Sequence, residues 1–394
     1  MKYRKNPKNG DMLSILGFGC MRFPKNGNAV DEERAKLEIK KAIENGINYF
    51  DTAYIYHGGK SEGILGDALV DGLREKVKIA TKLPPFMVRK AEDIDKIFDT
   101  QLKRLKTTYI DYYLIHMLAD TNMWNRLCEL GIKEWILKKK ANGEIRNIGF
   151  SFHGGKEDFR SIIDSYDWDF CQIQYNYLDE NNQAGKEGLL YAAAKNMPVI
   201  IMEPLRGGKI ISDMPDALKK LWSEAKPKRS VAEWALRWVW NHKEMTLLLS
   251  GMTTEEQLEE NCRIADSSDA EVMTEEELNL FKDAREMLSK ITKVNCTACG
   301  YCMPCPSGVD IPSCFSAYND YHMKKSFMRK MSYIMNLGAS SKNPAIASRC
   351  VKCRKCEKHC PQNIKIADRM TDVVKDMESF PFKLIVFFSK IFMK

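Results

Sequence analysis

The sequence predicts an α/β protein in which a (β/α)8 barrel precedes a smaller, cysteine-rich domain. Residues 1–290 alternate eight short β-rich segments with longer amphipathic ones, which is the order and length of such a barrel. Nine of the 13 cysteines then fall between Cys296 and Cys360. From residue 291 onward Lys and Arg outnumber Asp and Glu by 17 to 7, whereas the preceding residues carry 44 against 46. We therefore expect one domain over 1–290, a second over 291–379 and a C-terminal tail over 380–394.

The eight strands of the barrel can be placed from β-rich runs that are bounded by turn residues. They are expected at 14–19, 47–51, 77–81, 109–116, 145–151, 170–174, 198–202 and 246–250. Apolar residues at helical spacing predict a helix over 32–44, and Ser61 is expected to be the N-cap of the next helix. Asn9 and Gly10 predict a hairpin that closes the bottom of the barrel. An open doubly wound sheet is the alternative, but no G-x-G-x-x-G segment follows the first strand.

Titratable side chains follow three successive strands of the predicted barrel. Asp51 ends the second strand with Tyr56 just beyond it, Lys82 follows the third strand and His116 ends the fourth. Active sites of such barrels lie at the carboxyl ends of the strands. A Tyr is a poor acid at neutral pH unless a neighbouring cation lowers its pKa from about 10, and a Lys held by a carboxylate is such a cation. Since a His beside them can orient a carbonyl oxygen, these four residues form a candidate catalytic group.

The motifs around these residues resemble those of the aldo-keto reductase family. Residues 48–56 read NYFDTAYIY, residues 79–82 read IATK and residues 113–116 read YLIH. The motifs occur in this order at the predicted strands, and the resemblance spans roughly residues 10–265. It implies a barrel enzyme that reduces a small carbonyl compound, or oxidises the alcohol, with NAD(P)H.

The resemblance also implies a role for each of the four residues. Tyr56 would donate a proton to the carbonyl oxygen, and Lys82 would lower the pKa of Tyr56. Asp51 would hold Lys82 in place, and His116 would orient the substrate.

A nicotinamide site is implied as well, and this sequence matches it in part. Ser151 and Gln174 match the family's carboxamide contacts, whereas Phe152 stands in place of an Asn. Met202 stands where an aromatic ring normally stacks on the nicotinamide, and a Met packs on a ring with less specificity.

After the eighth strand, Gly251, Thr253, Gln257 and Asn261 resemble the family's adenosine-binding segment. Thr254 stands where a Lys or Arg usually neutralises the 2′-phosphate of NADP, so that charge-assisted contact is missing. NADH, or a flavin such as FMN, is therefore an alternative to NADPH.

Two basic positions are candidates for a cofactor phosphate. Arg206 begins the segment 206–209, which reads RGGK, and a solvated turn is the alternative interpretation of that segment. Arg22 follows the first barrel strand at the expected barrel mouth.

Two cysteine runs predict iron–sulfur clusters in the second domain. The first reads CTACGYCMPCP from Cys296, and the second reads CVKCRKCEKHCP from Cys350. The second run has the C-x2-C-x2-C-x3-C-P spacing of bacterial ferredoxins, in which the last cysteine ligates the other cluster. The first run differs only by having two residues before its last cysteine. The expected ligands are Cys296, Cys299, Cys302 and Cys360 for one [4Fe–4S] cluster, and Cys305, Cys350, Cys353 and Cys356 for the other.

Zinc is the alternative, because C-x2-C pairs also serve tetrahedral zinc sites, but zinc seldom uses this many cysteines at this spacing with a trailing proline. Cys314 is expected to be a buried residue and not a ligand. The segment between the two runs is expected to be helical, which resembles the helical ferredoxin modules attached to larger redox enzymes.

The basic surface of the second domain has two interpretations. Eight thiolates around two oxidised clusters sum to about −4, which reduces the domain's balance of +10 to about +6. The basic residues near the second run are Lys324, Lys325, Arg329, Lys330, Lys352, Arg354, Lys355 and Lys358. They either compensate the charge of the clusters or form a docking face for an acidic electron carrier such as a ferredoxin or flavodoxin. A nucleic-acid partner is not expected, since aromatic interleaving and a recognisable module are missing.

The tail at 380–394 is apolar with interspersed Lys, and it is too short to cross a bilayer. It is expected to pack against protein or to make a peripheral membrane contact. No signal peptide is visible at the start of the sequence, so a cytoplasmic protein without disulfides is expected.

Together these features predict an oxidoreductase in which the clusters relay electrons to or from the barrel. A nicotinamide passes two electrons as hydride whereas a cluster passes one, so coupling requires a converter such as a flavin. One alternative is an electron-transfer or redox-sensing protein with a catalytically idle barrel. The other is a plain NAD(P)H carbonyl reductase with structural clusters.

Overall fold

The computed structural model describes residues 1–212, 214–323, 325–339, 343–380 and 382. Its strands are β1 (Tyr3–Lys5), β2 (Met12–Ser14), β3 (Leu16–Gly19), β4 (Lys25–Asn26), β5 (Ala29–Val30), β6 (Tyr49–Asp51), β7 (Lys78–Leu83), β8 (Ile110–Leu118), β9 (Ile145–Phe152), β10 (Phe170–Gln174), β11 (Val199–Met202) and β12 (Leu247–Ser250). Eight of them form a closed parallel barrel in the order β3-β6-β7-β8-β9-β10-β11-β12, and β12 pairs back with β3. The predicted barrel is confirmed, and the alternative of an open sheet is wrong.

The predicted barrel strands agree with the observed ones to within one or two residues at their ends, and β10 coincides with its prediction. Large side chains fill the barrel interior, as the fold requires. They are Leu13, Tyr49, Ala80, Tyr112, Leu114, Phe170, Ile200, Leu247 and Leu249. This packed interior leaves the carboxyl ends of the strands as the place for chemistry.

Fifteen helices are described. They are α1 (Glu32–Glu44), α2 (Ser61–Ala68), α3 (Glu92–Leu105), α4 (Thr121–Glu129), α5 (Ile132–Ala141), α6 (Lys156–Asp164), α7 (Gly185–Ala194), α8 (Lys209–Ser212), α9 (Asp216–Glu224), α10 (Val231–Trp240), α11 (Glu255–Asp266), α12 (Glu275–Ile291), α13 (Ile311–Met323), α14 (Phe327–Asn336) and α15 (Ile366–Met377). Helix α1 has the predicted bounds because Asp31 caps its start by accepting from the Arg34 backbone N–H. Within the described residues, no helix is long and apolar enough to cross a membrane.

The hairpin predicted at Asn9 and Gly10 is confirmed. Strands β1 and β2 pair antiparallel, and Gly10 has a φ of +82°, in the left-handed region that glycine adopts without strain. The hydroxyl of Tyr112, near the start of β8, donates to Asp11 Oδ2 at 2.7 Å. The hairpin therefore lies at the amino-terminal end of the barrel strands.

The predicted N-cap at Ser61 is wrong. Lys60 precedes α2, and Ser61 is already its first helical residue. The Ser61 hydroxyl instead donates to the Cys20 carbonyl at 3.1 Å and accepts from Thr52 Oγ1 at 2.9 Å. Partners in other segments outside α2 thus replace the local capping bond.

The chain divides into two compact units. The first consists of Met1–Leu205 and Ser230–Glu275 and contains the whole barrel sheet. The second consists of Arg206–Arg229 and Glu276–Lys394 and contains both cysteine runs. A domain boundary at residue 290 stays a prediction.

The second unit has a helical core of its own. Phe315 of α13, Tyr333 of α14 and Met370 of α15 meet there. The segment between the cysteine runs contains α13 and α14, so its predicted helical character is confirmed. Cys314 is buried in this core, as expected, and its thiol contacts the Ala345 carbonyl at 3.6 Å. No disulfide is recorded among the 13 cysteines, all of which lie in the described residues.

Candidate active site and cluster cavities

The four residues predicted to be catalytic lie together at the carboxyl ends of β6, β7 and β8. Lys82 Nζ donates to Asp51 Oδ1 at 2.6 Å, to the Thr52 carbonyl at 2.7 Å and to the Tyr56 hydroxyl at 3.4 Å. The ring centroids of Tyr56 and His116 are 6.0 Å apart, with the rings nearly perpendicular. All four side chains are buried. The Tyr56 hydroxyl thus lies within hydrogen-bond distance of an ammonium, and the Tyr56 ring lies beside an imidazole.

A buried polar network behind β7 holds Lys82 in position. Glu62 on α2 accepts from Thr81 Oγ1 at 2.6 Å and from Gln101 Nε2 at 2.8 Å. The same Gln101 amide donates to the Lys82 carbonyl at 3.0 Å, and Arg104 neutralises Glu62 from 3.1 Å. Because each side chain of this network has a hydrogen-bond partner, the end of β7 has little freedom to move.

A bulge after His116 sets the direction of the imidazole. The register between β8 and β9 shifts between Ile115 and Leu118, and Met117 has a φ of +57°. The Met117 N–H donates to Ser151 Oγ at 2.8 Å. Bulges commonly re-aim side chains next to active sites, so Ser151 helps to position His116 through the backbone.

Burial controls the ionisation of the site. It raises the pKa of Asp51 and lowers the pKa of Lys82, while the ion pair between the two opposes both shifts. Burial, followed by the charges of Lys82 and His153, lowers the pKa of His116 well below its ordinary value. His116 is therefore a neutral imidazole at physiological pH, with one N–H to donate. Burial also raises the pKa of the nearby Cys20 thiol, which stays protonated.

The predicted carboxamide contacts lie at the ends of β9 and β10. Gln174 Nε2 donates to Asp179 Oδ2 at 2.8 Å, and Gln174 Oε1 accepts from Gln183 Nε2 at 2.8 Å. Phe152, which replaces the family's Asn, is buried and packs on Phe159 of α6 with ring centroids 4.9 Å apart. Its ring thus contributes to packing and offers no hydrogen bond. Both polar atoms of the Gln174 amide are therefore engaged within the protein, and contacts of Gln174 and Ser151 with a nicotinamide carboxamide stay predictions.

Sequence reasoning missed the polar side chains around Gln174. His153 Nδ1 lies 3.2 Å from Gln183 Oε1, and Asn176 Nδ2 donates to Asp179 Oδ2 at 3.0 Å. All are buried, and burial lowers the pKa of His153 to about 4. The signal that points to them is the polar run DENNQ at 179–183, directly after a barrel strand. Met202 lies at the end of β11, and its sulfur is 3.6 Å from Gln172 Nε2.

The segment after β12 has the geometry of a capped helix start. Thr254 caps α11 by accepting from the Gln257 N–H at 3.3 Å, and Gln257 Oε1 accepts from the Thr253 N–H at 2.9 Å. Asn261 Nδ2 donates to Ser250 Oγ at 3.2 Å. The exposed Gly251 borders Arg22, since a Cβ at Gly251 would lie 3.1 Å from the Arg22 Cβ. The structure thus brings Arg22 to the predicted adenosine segment.

Arg206 and Lys209 belong to the second unit, with the cysteine runs. Lys209 Nζ lies 3.5 Å from the Cys296 carbonyl. Lys209 therefore contacts the first cysteine run, whereas the alternative interpretation from the sequence was a solvated turn.

Each predicted set of cluster ligands surrounds one cavity. Cys296, Cys299, Cys302 and Cys360 line a cavity of about 310 Å3. Cys305, Cys350, Cys353 and Cys356 line another of about 360 Å3. In the described parts of the chain, no three His, Cys, Asp or Glu side chains converge closely enough to hold a single metal ion. Four thiols around a wider space fit a [4Fe–4S] cluster, whose ligands are cysteine thiolates.

Two sequence predictions concern residues that cannot be placed. Lys324, one of the basic residues of the second domain, lies outside the described residues. So does the tail except for Phe380, which is exposed, and Phe382, which is buried. A peripheral membrane contact through the tail therefore stays a prediction.

Family models match both parts of the chain. The Aldo/keto reductase family matches residues 15–285. A 4Fe-4S dicluster domain matches residues 295–364. The first match covers more than half of the chain and contains the four buried residues at the strand ends.

Curated relatives resemble the barrel part. L-galactose dehydrogenase of Arabidopsis thaliana is 26% identical over 303 residues, which are 72% of this chain and 94% of that protein. The NADH-specific methylglyoxal reductase of Escherichia coli is 26% identical over 295 residues, which are 63% of this chain and 89% of that protein.

Solved structures show the same fold. An aldo-keto reductase from Bacillus halodurans, in its holo form, matches with a TM-score of 0.61 and 25% identity. The match covers 72% of this chain and 96% of that chain. An aldo-keto reductase from Klebsiella pneumoniae in complex with NADPH matches with a TM-score of 0.60 and 22% identity over 72% of this chain and 95% of its own. The chain is therefore an oxidoreductase that belongs to the aldo/keto reductase family and carries a 4Fe-4S dicluster domain after its barrel.

Proposed function

We propose that the barrel reduces a small carbonyl compound, or oxidises the corresponding alcohol, and that the dicluster domain relays electrons between this reaction and a carrier. One observation carries the barrel part of the proposal. The Tyr56 hydroxyl lies 3.4 Å from Lys82 Nζ, which is itself held 2.6 Å from Asp51 Oδ1 in a buried site. A cytoplasmic location is consistent with 13 cysteines for which no disulfide is recorded.

The reacting proton belongs to Tyr56. In the reducing direction its hydroxyl donates to the carbonyl oxygen, and the phenolate left behind is stabilised by the Lys82 ammonium. The neutral His116 donates its one N–H to the same oxygen and fixes the direction of the carbonyl. Asp51 touches only Lys82 in this group, so it acts as a positioning residue.

The hydride would come from a nicotinamide, which supplies two electrons to the carbonyl carbon when bound. Ser151, Gln174 and Met202 would contact the nicotinamide ring and its carboxamide. Gly251, Thr253, Gln257 and Asn261 would contact the adenosine, and Arg22 is the cation proposed for a cofactor phosphate. A flavin such as FMN is the alternative in the same place. Unlike a nicotinamide, it would convert the two-electron reaction into one-electron steps.

Two [4Fe–4S] clusters would occupy the two cysteine-lined cavities and exchange one electron each. The proposed ligands are the four cysteines around each cavity. Zinc in either cavity would contradict this part of the proposal.

The test of the barrel proposal is a comparison of Tyr56→Phe with Tyr54→Phe. Each substitution removes one phenolic oxygen, but Tyr54 packs its ring on Arg104 and lies outside the reacting group. We expect Tyr56→Phe to lower kcat for carbonyl reduction by about 10²–10⁴-fold, as for loss of a general acid, while Tyr54→Phe retains activity. Full activity in Tyr56→Phe would contradict the proposed proton donor.

The test of the relay is anaerobic purification followed by an absorption spectrum and extraction of flavin and nicotinamide.

A second candidate, a plain NAD(P)H carbonyl reductase with structural clusters, is favoured by one observation. The match with the Arabidopsis dehydrogenase covers 94% of that protein but only 72% of this chain. Within the match, that relative has no second domain of this kind. Clusters that stay oxidised while the alcohol turns over would favour that candidate.

A further inference from the structure

The two cysteine runs share one backbone conformation. Ala298 and Gly300, on either side of Cys299, have φ values of +54° and +82°. The equivalent residues of the second run, Lys352 and Arg354, have φ values of +56° and +57°. The left-handed region favours glycine and costs other residues about 1 kcal/mol or more. The first run shows that small residues satisfy this loop, so the fold does not require Lys and Arg in the second.

The surfaces of the two loops are opposite in character. Thr297 in the first run is 2% exposed, whereas its equivalent Val351 is 69% exposed. Cys299 is partly covered, whereas its equivalent Cys353 is exposed to solvent. One cluster ligand of the second run therefore lies at the surface beside an apolar side chain.

Three unpaired positive charges lie within five residues of this exposed ligand in the sequence. Lys352, Lys355 and Lys358 are exposed, and across the described ranges of the chain none of them forms an ion pair. Arg354 differs from them, since it pairs with Asp368 at 2.7 Å and with Glu357 at 3.4 Å. The equivalents of the three lysines in the first run are Ala298, Tyr301 and Pro304.

Compensation of cluster charge does not account for the three lysines. Both clusters have four thiolate ligands and the same charge, yet the first run has no cation at the equivalent positions. Exposed charges are also screened by water and salt, so they stabilise a neighbouring cluster only weakly. An exposed apolar centre with unpaired cations around it is instead typical of a docking surface that steers an oppositely charged partner.

We propose that Val351, Lys352, Lys355 and Lys358 form a docking surface for an acidic one-electron carrier protein, and that the cluster of the second run is the one that exchanges electrons with it. The inference rests on the proposed relay. One electron passes from the reduced carrier to the oxidised cluster, so the carrier is oxidised by one electron, the cluster is reduced by one, and no proton moves. Among the four proposed ligands of that cluster, Cys353 is the one exposed to solvent, so the carrier would approach the cluster there.

The test measures reduction of the anaerobically purified, cluster-loaded chain by a reduced plant-type ferredoxin, followed by loss of the visible absorption of the clusters. The variant is Lys352→Ala/Lys355→Ala/Lys358→Ala, in which the first change copies Ala298. The matched control is Lys282→Ala/Lys290→Ala/Lys375→Ala, which removes three exposed charges from α12 and α15 of the same unit. A separate variant, Val351→Thr, copies Thr297 without altering charge.

At low salt we expect the loop variant to lower the second-order rate constant by about tenfold or more and to flatten its salt dependence. The control variant keeps the rate within about twofold, and Val351→Thr lowers it without changing the salt dependence. Reduction by the radical cation of methyl viologen, which is oxidised to the dication as the cluster gains one electron, is not slowed in any variant, because it needs no docking surface.

Three results would overturn the proposal. They are an unchanged rate in the loop variant, an equal loss in the control, and a parallel loss with methyl viologen, which would indicate an altered cluster. Wild-type binding to anionic vesicles or to DNA that the loop variant loses, with ferredoxin reduction unaffected, would assign the surface to another partner and also overturn it. Carbonyl turnover is measured separately, so an inactive barrel and a failed docking surface are distinguishable.

Discussion

Lys82 Nζ lies 2.6 Å from Asp51 Oδ1, and only 1% of the Lys82 side chain and 5% of the Asp51 side chain are exposed. A buried charge without its partner is strongly destabilising, whereas removal of both charges is often tolerated. The pair therefore has a structural role that can be separated from its proposed catalytic one.

We expect Asp51→Asn to lower the free energy of unfolding by about 3–5 kcal/mol, because it leaves the Lys82 ammonium buried without a counter-charge. The double variant Asp51→Asn/Lys82→Met removes both charges and regains most of that loss, but it stays inactive because no cation faces Tyr56. Urea unfolding and carbonyl-reduction rates for both variants check this. An Asp51→Asn protein as stable as the wild type would contradict the ion pair.

Acid should destabilise the barrel through His153. Burial lowers its folded pKa to about 4 from an ordinary value of 6.5, so the folded state binds fewer protons than the unfolded state between these values. The stabilising contribution is present above pH 6.5 and is lost as the pH falls, by about 2 kcal/mol at pH 5. His153→Gln removes this part of the pH dependence. Unfolding free energies at pH 7.5 and pH 5 measure it, and an equal acid loss in both proteins would contradict the assignment.

Cysteine substitutions should separate the clusters from the core. We expect Cys353→Ser to lower the iron content from about eight to about four atoms per chain, because one cavity loses a ligand. Cys314→Ser is the control, since Cys314 is buried and lines neither cavity. Iron and acid-labile sulfide analysis checks both variants. Zinc in place of iron, or an equal loss of iron in Cys314→Ser, would contradict the assignment.

Nucleotide preference should depend on Thr254. With no cation at this position and with Glu255 and Glu256 in the first turn of α11, we expect the wild type to prefer NADH. Thr254→Arg would raise kcat/KM for NADPH relative to NADH by about tenfold, the effect of one charge-assisted hydrogen bond. Both Thr254→Arg and its control Thr254→Leu lose the helix cap, at a cost of about 1 kcal/mol. A change of preference in Thr254→Leu would contradict the electrostatic explanation.

The barrel and the clustering of the four candidate catalytic residues could be predicted because their signals are local. A strand such as β11, which reads VIIM, is a continuous apolar run, and Asp51, Lys82 and His116 each lie within two residues of the end of a strand. The barrel topology then brings these ends together without further information. The same holds for the cysteine runs, because their short spacing limits which thiols can share a cavity.

Contacts that join distant segments could not be predicted in this way. The position of Ser61 in the sequence predicts a helix cap, but in the folded chain its hydroxyl forms hydrogen bonds with Cys20 and Thr52. Ser151 was assigned only a cofactor contact, although its oxygen accepts from the N–H of Met117 in a bulge that no sequence pattern indicates. In both cases the partner lies on another strand or loop, and only the register of the sheet decides the pairing.

The second unit includes Arg206–Arg229, a segment that precedes the last barrel strand. The backbone consequently crosses from one unit to the other three times, after Leu205, after Arg229 and after Glu275. A truncated chain that ends before Cys296 would keep Arg206–Arg229 and lose most of the unit to which that segment belongs. Deletion is thus a poor tool for dissecting this enzyme, and the proposed electron relay must be separated from the barrel reaction by point substitution within the intact polypeptide.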